Sequence, residues 1–251
     1  MPPPGKAQLK IVWGFTEYKN NVKKFLYNGF LNKKGFTLSE ILITLGIIGV
    51  VAALTVPAMV TNYQKEQTAI QLKKTYSTLK QATEAAKVDY GDVKNWDYTL
   101  NEAEFMRKYY APYIKYTQIG NSVKLKYKDL SGKDHTVSYA TLHMADGVVF
   151  SVRFNRAMAQ PFHILVDLNG DRGPNLLGRD VFAFSIFNNA LNTYSQYQNT
   201  HSKTWVLGPW TSGQCNREAK GGVFGPGSYC SRVIELDGWA IKDGFPGNYL
   251  K

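Results

Sequence analysis

The chain has 251 residues, a mean hydropathy of −0.29 and a formal net charge of +11. Its length suits one or two soluble domains, and its basicity first suggests a nucleic-acid partner. However, residues 1–35 carry a net charge of +6 and the rest of the chain only +5. Because positive charge beside an apolar segment keeps that end in the cytoplasm, nucleic acid is not expected to be the main partner.

The first element along the chain is an apolar segment. The twenty residues Ile41–Val60 include no charged side chain. Twenty helical residues are about 30 Å long, which is the thickness of the hydrocarbon core of a bilayer. The alternative is a buried core helix, but such helices are usually shorter and amphipathic. The segment therefore predicts one membrane-spanning helix.

A distinctive junction precedes this segment, with the sequence Lys33-Lys34-Gly35-Phe36-Thr37-Leu38-Ser39-Glu40. A secretory signal has its small-residue cleavage site after the apolar run, whereas here the small residue Gly35 comes before it. Cleavage there leaves the apolar helix on the mature chain.

Glu40 is the unusual residue of this junction, since a carboxylate at the bilayer centre costs about 2.5–3.5 kcal/mol. One candidate partner is the amine that cleavage before Phe36 creates, in the same chain or in a neighbouring subunit. The alternative is a carboxylate that only favours the N-terminal helix dipole.

This junction and the apolar run resemble the processing signature of type IV prepilins and type II secretion pseudopilins. The resemblance implies that a prepilin peptidase cleaves after Gly35 and methylates Phe36. It also implies that Glu40 guides docking of subunits and that Pro57 distorts the helix. The expected partners are that peptidase, the bacterial inner membrane and other pilin or pseudopilin subunits, in a homo- or hetero-oligomeric filament. The head is expected in the periplasm, or outside the cell on a long filament.

The helix is predicted to continue beyond the membrane, because the region from Tyr63 to Lys87 has neither Pro nor Gly. Apolar or small residues recur there at spacings of three and four, which is typical of an amphipathic helix; they are Ala69, Leu72, Tyr76, Leu79, Thr83 and Ala86. We therefore expect a cleaved leader at 1–35, a transmembrane half at 36–62 and an α+β head at 63–251.

Within the head, Thr99-Leu100-Asn101-Glu102 is a capping-box pattern that predicts a short second helix ending at Pro112. Short β-rich segments then follow, separated early on by turn residues; they are Val123–Leu130, Thr136–Leu142, Val148–Phe154, Ile164–Leu168 and Val181–Phe187. The fold class is α+β, with an antiparallel sheet packed on the long helix. The segment from Gly208 to Lys251 is expected to be loop-like.

The chain has two cysteines, Cys215 and Cys230, in this last segment. In a cytosolic protein they are more often free thiols, but outside a membrane they predict one disulfide. A disulfide that closes a loop of this size contributes about 3 kcal/mol in the chain-entropy model.

A loop with four oxygen-bearing side chains is the candidate metal site: Asp167, Asn169, Asp171 and Asp180. Calcium prefers such ligands, but Arg172 and Gly178 occupy positions where an EF-hand requires Gly and Glu, so the loop is not an EF-hand. The alternative is a turn without metal, because Asn-Gly and Gly-Pro favour turns. Calcium is the only cofactor that we consider.

No enzyme is expected, because the four histidines are scattered and no hydrolase or phosphate-loop motif occurs. Trp205, Trp210 and Trp239 either form a recognition surface or fill the core, and the second is favoured. The sequence thus predicts a structural filament subunit, with the choice between a type IV pilus, a secretion pseudopilus and a DNA-uptake filament left open. The alternative is a signal-anchored binding domain that does not polymerise.

Overall fold

A computed structural model describes residues 35–154, 162–170, 172–173, 175–188, 205–210, 215–216 and 224–245. The leader before Gly35 and the candidate ligand Asp171 lie outside these residues. Contacts divide the chain into two units, Met1–Ala58 and Met59–Lys251.

The long helix α1 spans 53 residues, Leu38–Tyr90, which confirms the predicted long helix. Over residues 38–58 every side chain is exposed except that of Ala52, which is half-buried. Farther along, seven residues of one face are buried, namely Ala69, Leu72, Thr75, Leu79, Ala82, Thr83 and Ala86. The N-terminal part of α1 therefore exposes an apolar surface that no other described residue covers, and its C-terminal part contributes one face to the core of the head.

The second helix, α2, is Glu102–Tyr109, and its start differs from the prediction. Its N-cap is Asn101, whose side chain accepts the backbone N–H of Glu104, and Glu104 caps Asn101 in return. Thr99 lies two residues before this cap, in a turn where the Asp97 carboxylate accepts its N–H and its hydroxyl. The capping box is therefore present but begins two residues later than the pattern Thr99–Glu102 indicates.

Six antiparallel strands form one sheet in the order β1-β2-β3-β4-β5-β6. Their bounds are Tyr116–Lys128, Asp134–Met144, Val149–Phe154, Phe162–Asp167, Val181–Asn188 and Trp205–Pro209. Every pair of neighbours in this order is antiparallel. The α+β fold class is confirmed, and a 3-10 turn (Val93–Asn95) links α1 to the region before α2.

Two elements were missed in the last part of the chain, where a loop was expected. Strand β6 lies on an edge of the sheet, where its Pro209 is tolerated because an edge strand need not donate every N–H. Helix α3, Cys230–Leu236, is only seven residues long and has no side-chain N-cap. Both elements are too short to show a hydrophobic periodicity in the sequence, and α3 also lacks a side-chain N-cap that would mark its start.

Strands β4 and β5 are buried on both faces, whereas most of β1 is exposed; alternate residues of a strand point to opposite sides of the sheet. On β4, Ile164 and Val166 belong to the core shared with the helices, whereas Leu165 belongs to a second cluster with Trp210 and Phe224. The C-terminal part of the chain therefore supplies the second layer of the head.

Candidate processing and assembly site

The predicted cleavage junction lies in extended chain immediately before α1. Gly35 and Phe36 are both exposed, and 82% of the surface of Phe36 is accessible. A Cβ atom built on Gly35 meets no atom within 4 Å. The junction is thus free of steric cover from the described residues.

Thr37 and Glu40 form a reciprocal cap at the start of α1. The backbone N–H and the hydroxyl of Thr37 each donate to Oε2 of Glu40, both at 2.8 Å. In return, the Glu40 N–H donates to Oγ1 of Thr37 at 3.2 Å. This is a Thr-x-x-Glu capping box, which satisfies helix donors that otherwise have no partner.

The capping box changes the sequence interpretation of Glu40. One carboxylate oxygen, Oε2, is engaged within its own chain, as the helix-start alternative requires. The other oxygen, Oε1, accepts no hydrogen bond from any described residue. Glu40 therefore has one oxygen for its own helix and one for a partner, so the two interpretations do not exclude each other.

The apolar half of α1 suits a lipid or protein environment rather than water. Its most apolar 18-residue window has a mean hydropathy of 2.4, and α1 is the one helix among the described residues that is long and apolar enough to cross a membrane. Its hydroxyls are satisfied internally, since Thr44 donates to the Glu40 carbonyl and Thr55 to the Val51 carbonyl, both at 2.9 Å. Such bonds remove the penalty of an unpaired hydroxyl in hydrocarbon.

Pro57 lies inside α1, and the helix continues on both sides of it. A proline lacks the N–H that an interior helical position donates, so it weakens the helix locally. Bending of α1 at Pro57 remains a prediction.

The structure brings together three of the four candidate calcium ligands. Oδ1 of Asp167 accepts the N–H groups of Asn169 and Gly170, and the Asn169 amide donates to Asp180 at 3.2 Å. Burial raises the pKa of the Asp180 carboxyl above its usual value, although the N–H of Leu176 opposes this shift. These contacts are those of an Asx-type turn that holds its shape without metal.

The loop fits a cation only in part. Oδ1 of Asn169 is buried without a hydrogen-bond partner, which is the kind of atom that a cation satisfies. However, the described residues contain no group of three or more His, Cys, Asp or Glu side chains placed to hold a metal ion. With Asp171 outside the described residues, the calcium site remains a proposal.

We expect calcium to raise the melting temperature of the full chain in detergent if the loop binds it. A free concentration ten times the Kd stabilises a folded protein by about 1.4 kcal/mol, which shifts the melting temperature of a domain of this size by about 3–6 °C. The shift should disappear in Asp180→Asn. An unchanged melting temperature at millimolar Ca²⁺ would leave the loop as a metal-free turn.

The remaining sequence candidates are structural in the head. Cys215 and Cys230 form the predicted disulfide, and Gly178 packs so closely on it that a Cβ atom there would lie 2.7 Å from Sγ of Cys230. Trp210 is buried against His163 and Phe224. Trp239 is half-buried and stacks on Tyr76 at 5.0 Å. These two tryptophans thus fill the core, while the Trp205 side chain lies outside the described residues.

The histidines do not assemble a catalytic group among the described residues. Burial and the charge of Arg153 lower the pKa of His163 to about 4, so its imidazole is neutral at pH 7. His135 instead bonds the buried carboxylate of Asp129 at 2.8 Å. Asp129 also accepts hydrogen bonds from Ser131 and from the N–H of Lys133, so this pair holds a turn.

Comparison with known proteins identifies two regions. The model of a family of unknown function (DUF6613) matches residues 58–248. The model of the prokaryotic N-terminal methylation motif matches residues 31–56, which include the junction and the apolar half of α1. This motif is the signature of type IV pilins and pseudopilins. No curated protein and no solved structure matches the chain.

Proposed function

Because the chain belongs to the family of unknown function DUF6613 and begins with a prokaryotic N-terminal methylation motif, we propose that it is a structural subunit of a membrane-derived filament. In this proposal a prepilin peptidase cuts after Gly35 and methylates Phe36. The apolar half of α1 then holds the subunit in the inner membrane, with the head in the periplasm, until the subunit joins a filament. The protein performs no catalysis.

The observation that carries the proposal is the exposed apolar surface of residues 38–58. A surface of this kind is stable only against lipid or against other apolar helices. A filament core made of such helices provides the second environment after the membrane provides the first. Assembly therefore exchanges lipid contacts for helix contacts and does not require the head to unfold.

Glu40 supports the proposal through its second oxygen. Cleavage before Phe36 creates an α-amine, and an amine of a neighbouring subunit is a suitable partner for Oε1. Pairing neutralises both charges where the dielectric constant is low, which offsets the cost of a lone carboxylate there. We propose this pair as the contact that selects the position of an incoming subunit.

The filament of this proposal is either a type IV pilus-like fibre or a type II secretion pseudopilus.

A second candidate is a signal-anchored binding domain that does not polymerise. The observation in its favour is the capping box, because it gives Glu40 a role without any neighbour. The first candidate requires the negative charge of Glu40 for assembly of subunits, and the second candidate does not require it.

Mass spectrometry of the mature N-terminus tests the processing step. We expect the protein, expressed in a bacterium with a prepilin peptidase, to begin at Phe36 and to carry one added methyl group. In the Gly35→Leu variant we expect the leader to remain, since the peptidase requires a small residue before the cut. A Cβ atom at this position meets no described atom within 4 Å, so we expect the head of this variant to fold as in the parent. An intact leader on the parent protein would contradict the proposal.

A further inference from the structure

A cavity of about 390 Å³ opens where the sheet divides. Strands β2 and β3 pair only from Ala140–Val152 to His143–Val149. Before Ala140, β2 pairs with β1 alone, and after Val152, β3 pairs with β4 alone among the described strands. The two strands therefore separate, and the cavity lies in the fork between them.

Six polar residues from four elements line this fork cavity, namely Glu102, Asn121, Ser122, Thr136, Ser138 and Arg153. The Arg153 guanidinium forms no ion pair or hydrogen bond with another described residue, and the same holds for the side chains of Asn121, Ser122, Thr136 and Ser138. Oε1 of Glu102 accepts the N–H of Phe154 at 3.4 Å, and its other oxygen has no such contact. Five of the six side chains are solvent-exposed and Glu102 is half-buried, so the cavity presents donors and acceptors that no other described residue uses.

The backbone of β1 is distorted at this place. The pairing of β1 with β2 shifts between Gly120 and Val123, and Ser122 has a positive φ of 54°. A serine rarely adopts this conformation, and strained residues of this kind are concentrated at ligand sites. The bulge brings Asn121 and Ser122 to the cavity wall, as bulges often redirect side chains toward a site.

The bulge is also closely packed, which keeps its shape. A Cβ atom on Gly120 would lie 2.6 Å from Cγ2 of Val123 and 2.9 Å from Oγ1 of Thr141. Oγ1 of Thr141 is buried and lacks a hydrogen-bond partner. The close contacts leave no room for a side chain at Gly120, so the bulge has one packed arrangement.

We propose that the fork cavity binds a saccharide. Sugar hydroxyls both donate and accept, and they match the hydroxyls of Ser122, Thr136 and Ser138, which do the same. Arg153 supplies several N–H donors in a fixed plane, and Glu102, which also lines the cavity, supplies an acceptor.

The balance of charge and polarity argues against nucleic acids and against hydrophobic small molecules as ligands. The six residues carry one positive and one negative charge, too few cations to track a phosphate backbone. Their polar character also differs from the mostly apolar lining of sites for hydrophobic small molecules. The saccharide comes either from a surface polysaccharide or from a free sugar, and this site is independent of filament assembly.

Titration calorimetry on the full chain in detergent micelles tests the proposal. The probes are oligogalacturonate, a dextran oligosaccharide and their monosaccharides. We expect at least one probe to bind, and we expect Arg153→Gln to weaken that binding about tenfold, as loss of a charged hydrogen-bonding group does. Tighter binding of oligomer than of monosaccharide indicates a polymeric source; equal binding indicates a free sugar.

The control is Arg107→Gln, which removes an exposed arginine of α2 that does not line the cavity, and its affinity should equal that of the parent. If Arg153→Gln lowers the melting temperature, Ser138→Ala provides a second variant, and we expect weaker binding there as well. The proposal is overturned if no probe binds at millimolar concentration, or if Arg153→Gln and Ser138→Ala both bind as the parent does.

Discussion

Replacing Glu40 by Ala is expected to abolish filament assembly while leaving membrane insertion unchanged. Insertion depends on the apolar run Ile41–Val60, which contains no charged residue in either protein. Assembly depends, in our proposal, on the charge that meets a neighbouring amine. The measurement is the yield of cross-linked subunit oligomers in cell envelopes, compared with the total amount of the protein in the membrane fraction.

Glu40→Gln separates the two roles of this residue. Glutamine also completes a capping box, so the variant keeps the helix cap with Thr37 and removes only the charge. We expect Glu40→Gln to fail in assembly as fully as Glu40→Ala. If Glu40→Gln assembles like the parent, the carboxylate serves only as a cap and the non-polymerising candidate gains support.

Two further variants complete this comparison. Thr37→Ser keeps the hydroxyl that engages Glu40 and should assemble normally. Glu66→Ala removes an exposed carboxylate from the same helix without altering its start, and it should also assemble. Loss of assembly in Glu66→Ala would indicate that the net charge of α1, rather than the position of Glu40, is what matters.

Replacing Phe105 by Ala is expected to lower the free energy of unfolding by about 3–5 kcal/mol, the usual cost of emptying a buried phenylalanine site. Phe105 is fully buried on α2. Its ring lies 4.7 Å from that of Tyr109, 5.0 Å from that of Phe154 and 5.7 Å from that of Trp96. These neighbours come from α2 itself, from the sheet and from the region after α1, so no single shift fills the cavity.

Urea denaturation of the full chain in detergent, followed by tryptophan fluorescence, measures this loss as a lower midpoint. Domains are stable by about 5–15 kcal/mol, so the variant should lose a large fraction of its free energy of unfolding. The control is Val88→Ala on α1, where 85% of the valine surface is exposed and the change should be within about 0.5 kcal/mol. A loss below about 1 kcal/mol in Phe105→Ala would show that the aromatic cluster is not a rigid part of the core.

Glu40 and Thr99 show why local patterns are incomplete. Both belong to sequences that permit a capping box, Thr37–Glu40 and Thr99–Glu102. Only the first forms in that register, because helix α2 begins at Glu102 with Asn101 as its N-cap, while Thr99 lies in a preceding turn with Asp97. Both Thr99 and Asn101 are suitable cap residues, and the spacing alone does not reveal at which of them the helix begins.

The N-terminal methylation motif and the long helix were recognised from the sequence alone, because a charge-free run of membrane length beside Gly35 and Glu40 needs no tertiary context. Five of the six strands were also found, since their β-branched and aromatic residues are separated by turn residues. Only the tertiary structure showed β6, α3 and the fork between β2 and β3. Each of these depends on where distant segments of the chain meet. Strand β6 forms by pairing with the free edge of β5, and α3 begins at Cys230, which packs on Gly178. The fork arises because the first half of β2 pairs with β1 and the end of β3 pairs with β4.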